Sequence, residues 1–365
     1  MKLTLLRENL IDKLTLAAKF CSSRLSSISS LQGVLLKSEK NLIHIFSTNL
    51  NQFFYTSLKT EEETTFKIII EPKKIIEFLS LLLPGKITVS IKDSIIIFEQ
   101  GKAKGSFPLI KEEDFPIPPP LKEKKEKISS QFLLKNLPLV IFTAAKDETR
   151  PVLSGTNFIG EGDELSIVAT DGFRLSLIKT KKTVDFPPMI VPAEFLGEVL
   201  RQIGEEKEML FSFLPEEKMV VFETNDNRFY SRLIEGEFPP YEKVIPQEKK
   251  TSVVVDREEL LRNIKLVSVF AREFSNIIIC QFTKEELKIT PKVQGGEDNR
   301  VSQETEHKGE EQKVAFNYKF IVEFLNNVGG KNIIIEILRP DAPIIFKQEK
   351  EAGFLHIIMP VRIQE

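Results

Sequence analysis

The sequence of 365 residues has few of the features that mark membrane, secreted or metal-binding proteins. Its two cysteines, Cys21 and Cys280, stand far apart and suggest neither a disulfide framework nor a zinc site. No apolar run approaches the roughly 18 residues that a membrane helix needs. The charged residues Arg7, Glu8 and Asp12 interrupt the first apolar stretch, so no signal peptide is visible. We therefore expect a cytoplasmic protein with no membrane partner.

Catalytic motifs are also absent. The sequence contains no glycine-rich phosphate loop, no Cys-x-x-Cys and no His-Glu-x-x-His. Its three histidines are scattered, and His307 stands alone in the polar, acidic stretch 294–312, which indicates a solvated loop or edge strand rather than a metal site. Asp171 precedes a glycine between two β-rich runs, a pattern typical of a two-residue hairpin turn. Carboxylates alone leave a glycosidase-like pair open, but we expect no enzyme, no cofactor and no metal.

The charge balance excludes a protein whose whole surface holds nucleic acid. There are 51 basic and 53 acidic residues, which gives a net charge of −2. A local basic face set against an acidic exterior remains compatible with that balance. With 41% hydrophobic and 28% charged residues, the composition is that of a globular protein.

An internal repeat is the most informative feature. Six segments share a short β-rich run, a helix-start signal and apolar residues at helical spacing: residues 2–14, 65–82, 127–142, 189–203, 252–267 and 314–328. Proline suits a first helical turn, and serine, aspartate and asparagine can cap one. The predicted helix starts are Arg7, Pro72, Ser130, Pro192, Asp256 and Asn317, which lie 65, 58, 62, 64 and 61 residues apart. Each unit of about 61 residues predicts one helix and about four antiparallel strands.

A second periodicity pairs these units. The stretch Glu112–Pro116 (EEDFP) recurs as Glu235–Pro239 (EGEFP), and each is followed by a proline- and lysine-rich extended linker. We therefore predict three similar α+β domains, residues 1–122, 123–248 and 249–365, each with two helices packed on antiparallel sheets. Repetition of this kind fits a closed ring with the helices lining a channel, because closure removes exposed sheet edges. An open solenoid would repeat equally well.

Five stretches resemble the bacterial DNA sliding clamp, the beta subunit of DNA polymerase III, and the resemblance runs over essentially the whole chain. They are TRPVLSG at 149–155, VATDGFRL at 168–175, EFPPY at 237–241, AFNYKF at 315–320 and MPVRI at 359–363. The resemblance implies a head-to-tail homodimer whose ring encircles duplex DNA without sequence specificity. It also implies a clamp loader that opens the ring, and a replicative polymerase and other partners that bind through peptides. The alternative is a non-catalytic, β-rich protein-binding scaffold that does not encircle DNA.

The resemblance also implies a hydrophobic pocket for partner peptides. Leucine, methionine, valine and proline side chains would form an adaptable apolar cleft, with Arg174 and Arg362 as donors at its rim. Phe173 and Phe320 stand where relatives commonly have a histidine and a tyrosine, so the preferred peptide can differ. The expected pocket residues are Leu153, Thr170, Gly172, Phe173, Arg174, Leu175, Pro239, Lys243, Val244, Phe274, Asn317, Phe320, Ala342, Ile344, Met359, Pro360, Val361, Arg362 and Ile363.

Two further sets of residues follow from the resemblance and from the repeat. The expected DNA contacts are Arg24, Arg150, Lys73, Lys74, Arg201 and Lys265. In the expected dimer interface, the edge strand around Lys102, Lys104 and Phe107 of one copy meets Val269 and Phe270 of the other. Phe274 is expected near the same contact, and for Phe270 and Phe274 ordinary core packing is an equally good interpretation.

Overall fold

The computed structural model describes residues 1–22, 29–111, 114–147, 149–272, 275–292 and 298–362. The chain divides into two compact units. Unit 1 comprises Met1–Ser130 and Gln202–Leu233, and unit 2 comprises Gln131–Arg201 and Ile234–Glu365. Within the described residues, no helix is both long and apolar enough to span a membrane.

The six predicted helices are all present, and each begins within one residue of its predicted start. The third is split at Leu137 into two short helices. The helices of the described residues are α1 Arg7–Ala18, α2 Pro72–Leu81, α3 Ser130–Asn136, α4 Pro138–Ile141, α5 Ala193–Arg201, α6 Arg257–Ala271 and α7 Tyr318–Asn327. Short 3-10 helices cover Ser29–Gln32, Pro151–Ser154 and Tyr241–Val244.

The helix starts follow the predicted chemistry at three sites, including Pro72 as the first residue of α2, and depart from it at two. The Asp256 carboxylate accepts a hydrogen bond from the Glu259 N–H, and the Asn317 side chain accepts one from the Lys319 N–H. Ser130 is instead the first residue of α3, and its buried hydroxyl has no hydrogen-bond partner among the described residues. Pro192 does not open a helix but ends a strand, because its segment stays paired until α5 begins at Ala193.

The strands are short and antiparallel, as predicted. In chain order they are β1 Lys2–Leu6, β2 Val34–Glu39, β3 Leu42–Thr48, β4 Gln52–Lys59, β5 Phe66–Ile70, β6 Lys86–Lys92, β7 Ile95–Gln100, β8 Ala103–Ile110, β9 Glu126–Ser129, β10 Gly155–Glu161, β11 Glu164–Thr170, β12 Arg174–Lys181, β13 Met189–Pro192, β14 Glu208–Leu214, β15 Met219–Glu223, β16 Asn227–Arg232, β17 Thr251–Asp256, β18 Ile277–Phe282, β19 Glu286–Pro291, β20 Val301–Glu304, β21 Glu306–Gly309, β22 Gln312–Asn317, β23 Asn332–Ile337, β24 Ile344–Gln348 and β25 Phe354–Ile358. The acidic stretch near His307 therefore contains two edge strands, β20 and β21.

Unit 1 contains one sheet in the order β1-β6-β7-β8-β5-β2-β3-β4-β16-β15-β14-β9, counted over the described residues. Helices α1 and α2 pack against each other, and α1 lies on β2, β3 and β4. Buried leucines and isoleucines between helix and sheet form the core, among them Leu14, Ile45 and Ile75.

Unit 2 contains two sheets over the described residues. One has the order β13-β10-β11-β12-β25-β24-β23-β17-β21, and the other β20-β19-β18-β22. Helix α4 packs on α5 and α6 packs on α7, so the helices pair as they do in unit 1.

Two strand pairings join segments that are distant in sequence. In unit 1, β4 pairs with β16 from Asn227↔Thr56 to Ser231↔Gln52. In unit 2, β12 pairs with β25 from Arg174↔Ile358 to Ile178↔Phe354. We call these two pairings the strand joints. The second predicted domain contributes β16 to the first joint and β12 to the second, so its residues are divided between the two units. The predicted domain limits at residues 122 and 248 remain a prediction.

Candidate functional site

The segment between β11 and β12 is a rigid three-residue turn, not the predicted two-residue hairpin turn. The Thr170 hydroxyl accepts a hydrogen bond from the Gly172 N–H and donates one to the Arg174 carbonyl. The Asp171 carboxylate accepts from the N–H groups of Phe173 and Arg174, at 2.9 and 3.0 Å. Gly172 has a φ of +89°, a conformation that side chains disfavour. The turn therefore holds Phe173 outward in a fixed position.

Arg174 is a buried structural cation, not the donor at the pocket rim that the sequence suggested. It is only 6% exposed. Its Nε lies 3.0 Å from the Asp171 carboxylate, its Nη1 lies 2.5 Å from Glu323 Oε2, and its Nη2 donates to the Phe142 carbonyl. The guanidinium also lies over the Phe320 ring, 4.8 Å from the centroid. These contacts compensate the buried charge and orient the Phe320 ring.

An exposed apolar patch covers this arginine. Phe173, 63% exposed, stacks on Phe320 with ring centroids 6.4 Å apart and an interplanar angle of 21°. The Met359 N–H donates to the Phe173 carbonyl at 2.8 Å. Met359 and Val244 are also among the exposed large hydrophobic residues. Exposed apolar side chains that lie together, as Phe173 does with Phe320 and Met359, make this surface a candidate binding site.

The other expected pocket residues divide into a buried floor and a surface layer. The pairing Leu175↔Ile357 brings strands of the second and third predicted domains together beneath the patch, and Ile344↔Ile358 continues the sheet within the third. Tyr241 packs on the same cluster as Leu175. The buried members are Leu153, Thr170, Leu175, Ala342 and Ile344. Those at least partly exposed are Gly172, Pro239, Lys243, Asn317, Pro360, Val361 and Arg362. Phe274 and Ile363 lie outside the described residues.

His356 lies beneath the patch and was not expected in the site. It is fully buried on β25, where its Nδ1 lies 2.8 Å from the Ser176 hydroxyl. Its ring stacks between Phe324 and Phe142, at centroid distances of 4.8 and 5.4 Å. Burial, and to a lesser extent the charge of Arg174, lowers the pKa of His356 well below its ordinary value. The imidazole is therefore held neutral.

The expected DNA contacts lie at the surface, in several elements. Lys73 and Lys74 stand in the first turn of α2, Lys265 on α6, and Arg201 at the end of α5. Arg150 directly precedes the 3-10 helix Pro151–Ser154. Arg24 lies outside the described residues.

Two grooves add basic residues that sequence reasoning missed. A groove of about 800 Å³ in unit 1 runs beside α1, where it is lined by Lys13, Lys19 and Lys59 together with Asp12 and Asp226. A second groove, of about 540 Å³, follows the exposed face of α6 and is lined by Arg257, Arg262 and Lys265. Arg262 lies three residues before Lys265 on α6, so helical spacing would have placed both on one face.

The residues expected at the dimer interface lie at the surface or near it. Lys102 and Lys104 are exposed, whereas Phe107 is half-buried and packs edge-on against Phe78 and Phe98. Val269 and Phe270 are 52% and 46% exposed, so neither belongs to the core. Among the exposed leucines that sequence reasoning missed, Leu81 and Leu83 lie at the end of α2 and Leu266 lies on α6. The run of leucines at 81–83, which continues past the end of α2, could have indicated exposed apolar side chains there.

Three sequence profiles of one family match almost the whole chain. The N-terminal, central and C-terminal domains of the DNA polymerase III beta subunit match residues 1–119, 127–240 and 242–362. The chain belongs to the DNA polymerase III beta subunit family. The beta sliding clamp of Synechocystis sp. is 26% identical over 392 residues, which cover all of both chains. That of Bacillus subtilis is also 26% identical, over 99% of this chain and all of the relative.

Solved structures show the same fold. The DNA polymerase III beta subunit of Thermotoga maritima matches all of both chains with a TM-score of 0.90 and 24% identity. The Bacillus subtilis sliding clamp matches with a TM-score of 0.89 and 22% identity. The predicted α+β fold of three clamp domains is thereby confirmed, and the chain is a sliding clamp of DNA replication by family. Among the described residues, no group of three or more metal-ligating side chains could hold an ion.

The buried His356 predicts a specific acid sensitivity of the fold. Because its pKa is lower in the folded than in the unfolded chain, the unfolded chain takes up the proton first. The stability that His356 contributes is thus present above about pH 6.5 and is lost as pH falls toward the folded pKa. Between pH 7 and pH 5, the thermal unfolding midpoint should fall more steeply for the native chain than for His356→Gln. Equal slopes in the two proteins would contradict this.

Proposed function

We propose that the chain is a non-catalytic processivity factor. Two copies assemble head to tail into a ring around duplex DNA, and the ring tethers the replicative polymerase. A clamp loader opens the ring, and partners bind through peptides to the patch around Phe173. Family membership supports the role in replication. The ring, the dimer and the pocket rest on the arguments that follow.

The repetition of the strand joints carries the proposal. The sheets contain six runs of three neighbouring strands. Strands β4, β12 and β20 are the last of the runs β2-β3-β4, β10-β11-β12 and β18-β19-β20. Strands β16, β25 and β8 are the last of the runs β14-β15-β16, β23-β24-β25 and β6-β7-β8. Within the chain, β4 pairs with β16 and β12 with β25, whereas β20 is an edge strand of the described sheet. Strand β8 pairs with β5 only at Leu109 and Ile110, so the rest of that edge has no partner strand among the described residues. A second copy would supply both missing partners.

Exposed apolar side chains accompany these open edges. In unit 1, Leu81 and Leu83 at the end of α2 are 82% and 76% exposed. In unit 2, the end of α6 exposes Leu266, Val269 and Phe270. Burial of a leucine contributes about 1.5–3 kcal/mol. A joint between two copies that covered both groups would combine a strand ladder with an apolar contact.

The proposed role on DNA rests on contacts with phosphates, which do not distinguish one base sequence from another. Lys73, Lys74, Arg201 and Lys265 lie on helices that the ring would turn toward its channel, and Arg262 shares the groove of Lys265. Lysine and arginine neutralise phosphates without reading bases. With a net charge of −2, the chain is not basic enough to hold DNA over its whole surface. Retention is therefore topological, and weak contacts permit sliding.

The central prediction is that retention depends on DNA topology. We expect the protein, loaded by a bacterial clamp loader and ATP, to stay on a nicked circular duplex during gel filtration. It should leave when a restriction enzyme linearises the circle. A protein-binding scaffold would show no such difference, and equal retention on both DNA forms would refute the ring.

Matched variants connect this behaviour to the exposed leucines. Leu81→Glu/Leu83→Glu should lower dimer affinity at least about 100-fold, because two charges would be buried at the joint. Retention on the circle would then be lost. Leu50→Glu is the control, since Leu50 is also an exposed leucine of unit 1 but lies in the turn before β4. Unchanged retention by the double variant would place the interface elsewhere.

A second prediction concerns the peptide pocket. Phe173→Asp should weaken binding of a polymerase-derived clamp-binding peptide about 10- to 100-fold, as expected for an exposed aromatic anchor. Fluorescence anisotropy measures the affinity, and sedimentation checks that the dimer persists. Leu134→Asp, at another exposed leucine, should bind normally. If Phe173→Asp binds as tightly as the native chain, the pocket assignment is wrong.

A further inference from the structure

The linker after β8 contains a proline segment, residues Phe115–Leu121 (FPIPPPL), whose role the proposed function leaves unexplained. Four of its seven residues are prolines. Proline fixes its own φ near −65° and pushes the preceding residue toward extended backbone. Residues 115, 117, 118 and 119 each precede a proline, and the described residues contain no cis peptide bond. These restraints favour a polyproline II helix.

Both ends of the proline segment are anchored. Phe115 is buried against Leu35 and Ile69 of unit 1. At the other end, Leu121 packs on a cluster of buried residues that includes Phe53 and Tyr230. Beyond it, the Lys125 ammonium lies 2.9 Å from the Glu223 carboxylate. The segment is therefore held in place before any partner arrives, which lowers the entropic cost of recognition.

Between its anchors the segment exposes one side to solvent, because Pro116, Pro118 and Pro119 are half-buried whereas two other residues are exposed. Ile117 is 62% exposed, although it is a large apolar residue, and Pro120 is exposed as well. No backbone group of residues 114–122 forms a hydrogen bond with the described residues. The carbonyl groups remain available as acceptors. Lys122 follows directly and is exposed, so a positive charge marks one end of the segment.

The second linker has a different local structure at the equivalent positions. Its residues continue from Phe238 through Pro239 and Pro240 into the 3-10 helix Tyr241–Val244. Tyr241 is buried in a cluster with Val168 and Leu177, whereas Pro239 and Pro240 are exposed. Three consecutive prolines therefore stand in the first linker where the second linker forms a 3-10 helix and buries a tyrosine.

We infer that the proline segment is a docking site for a partner protein with an aromatic-lined groove that recognises polyproline II. The ridges formed by Ile117 and the prolines enter the groove, and tyrosine or tryptophan donors bond to the free carbonyls. An acidic residue beside the groove pairs with Lys122 and sets the direction of binding. This site is separate from the patch around Phe173, and it does not depend on ring closure.

Two isolated domains that bind polyproline II serve as probes: one SH3 domain and one WW domain, each selected for proline-rich ligands with a basic flank. The full-length chain is titrated into each isotope-labelled domain, and shift changes are followed by NMR. We expect at least one domain to bind, with shifts confined to its aromatic groove. Pro118→Ala/Pro119→Ala and Ile117→Ser should each weaken that binding at least tenfold. Pro246→Ala, in the other linker, is the matched control and should bind like the native chain.

Three results would overturn the inference. Neither domain binds the native chain, the shifts fall outside the groove, or the segment variants bind as tightly as the control. Ile117→Ser guards against misfolding, because this side chain is exposed. Thermal unfolding of every variant confirms that the anchors at Phe115 and Leu121 remain in place.

Discussion

The edges of β4 and β12 are each closed by a strand that lies far away in the sequence. An open strand edge presents a row of N–H and C=O groups that must bond to water or to another strand. Pairing β4 with β16 and β12 with β25 satisfies these groups and extends each sheet beyond the unit of the internal repeat. The other features of the molecule depend on these joints, because the joints bring together side chains from segments that are far apart in sequence.

The patch around Phe173 illustrates this dependence. The β12–β25 joint places Phe173 beside Met359, and it sets Ser176 opposite His356. Arg174 then links the turn to α7 through Glu323 and the Phe320 ring. Leaving this buried guanidinium without partners would cost several kcal/mol, about 3–5 by analogy with other buried ion pairs. The apolar surface around Phe173 therefore lies over a buried cation whose charge is balanced by Asp171 and Glu323.

Local features of the fold were predictable from the sequence. The capping side chains of Asp256 and Asn317 marked two helix starts, and the repeat spacing located the others. Local signals failed where tertiary structure competed with them. Ser130 could have capped a helix, but its hydroxyl is buried inside the packing of α3. Pro192 could have opened a helix, but strand pairing continues through it.

Features that depend on contacts between distant segments were harder to predict from the sequence. Arg174 was expected at the pocket rim from the resemblance and from its donor chemistry, whereas its partners Phe142 and Glu323, distant in sequence, hold it in the interior. The exposure of Leu81 and Leu83 was missed, because helical periodicity describes one helix at a time and not its contacts with other parts of the molecule. Only the strand pairing shows which edges stay open, and therefore which apolar residues await a partner.

The most direct test of the central claim is a crosslink between the two open edges. Ser106→Cys on β8 and Ser302→Cys on β20 introduce exposed thiols. Cys280 is buried, and the partly exposed Cys21 is replaced by serine so that it cannot react. A short bismaleimide should convert the 41.7 kDa chain into a covalent pair of two chains that remains on a nicked circle in denaturant. Crosslinks confined to single chains, or ladders of three and more chains, would contradict closure of the ring by two copies.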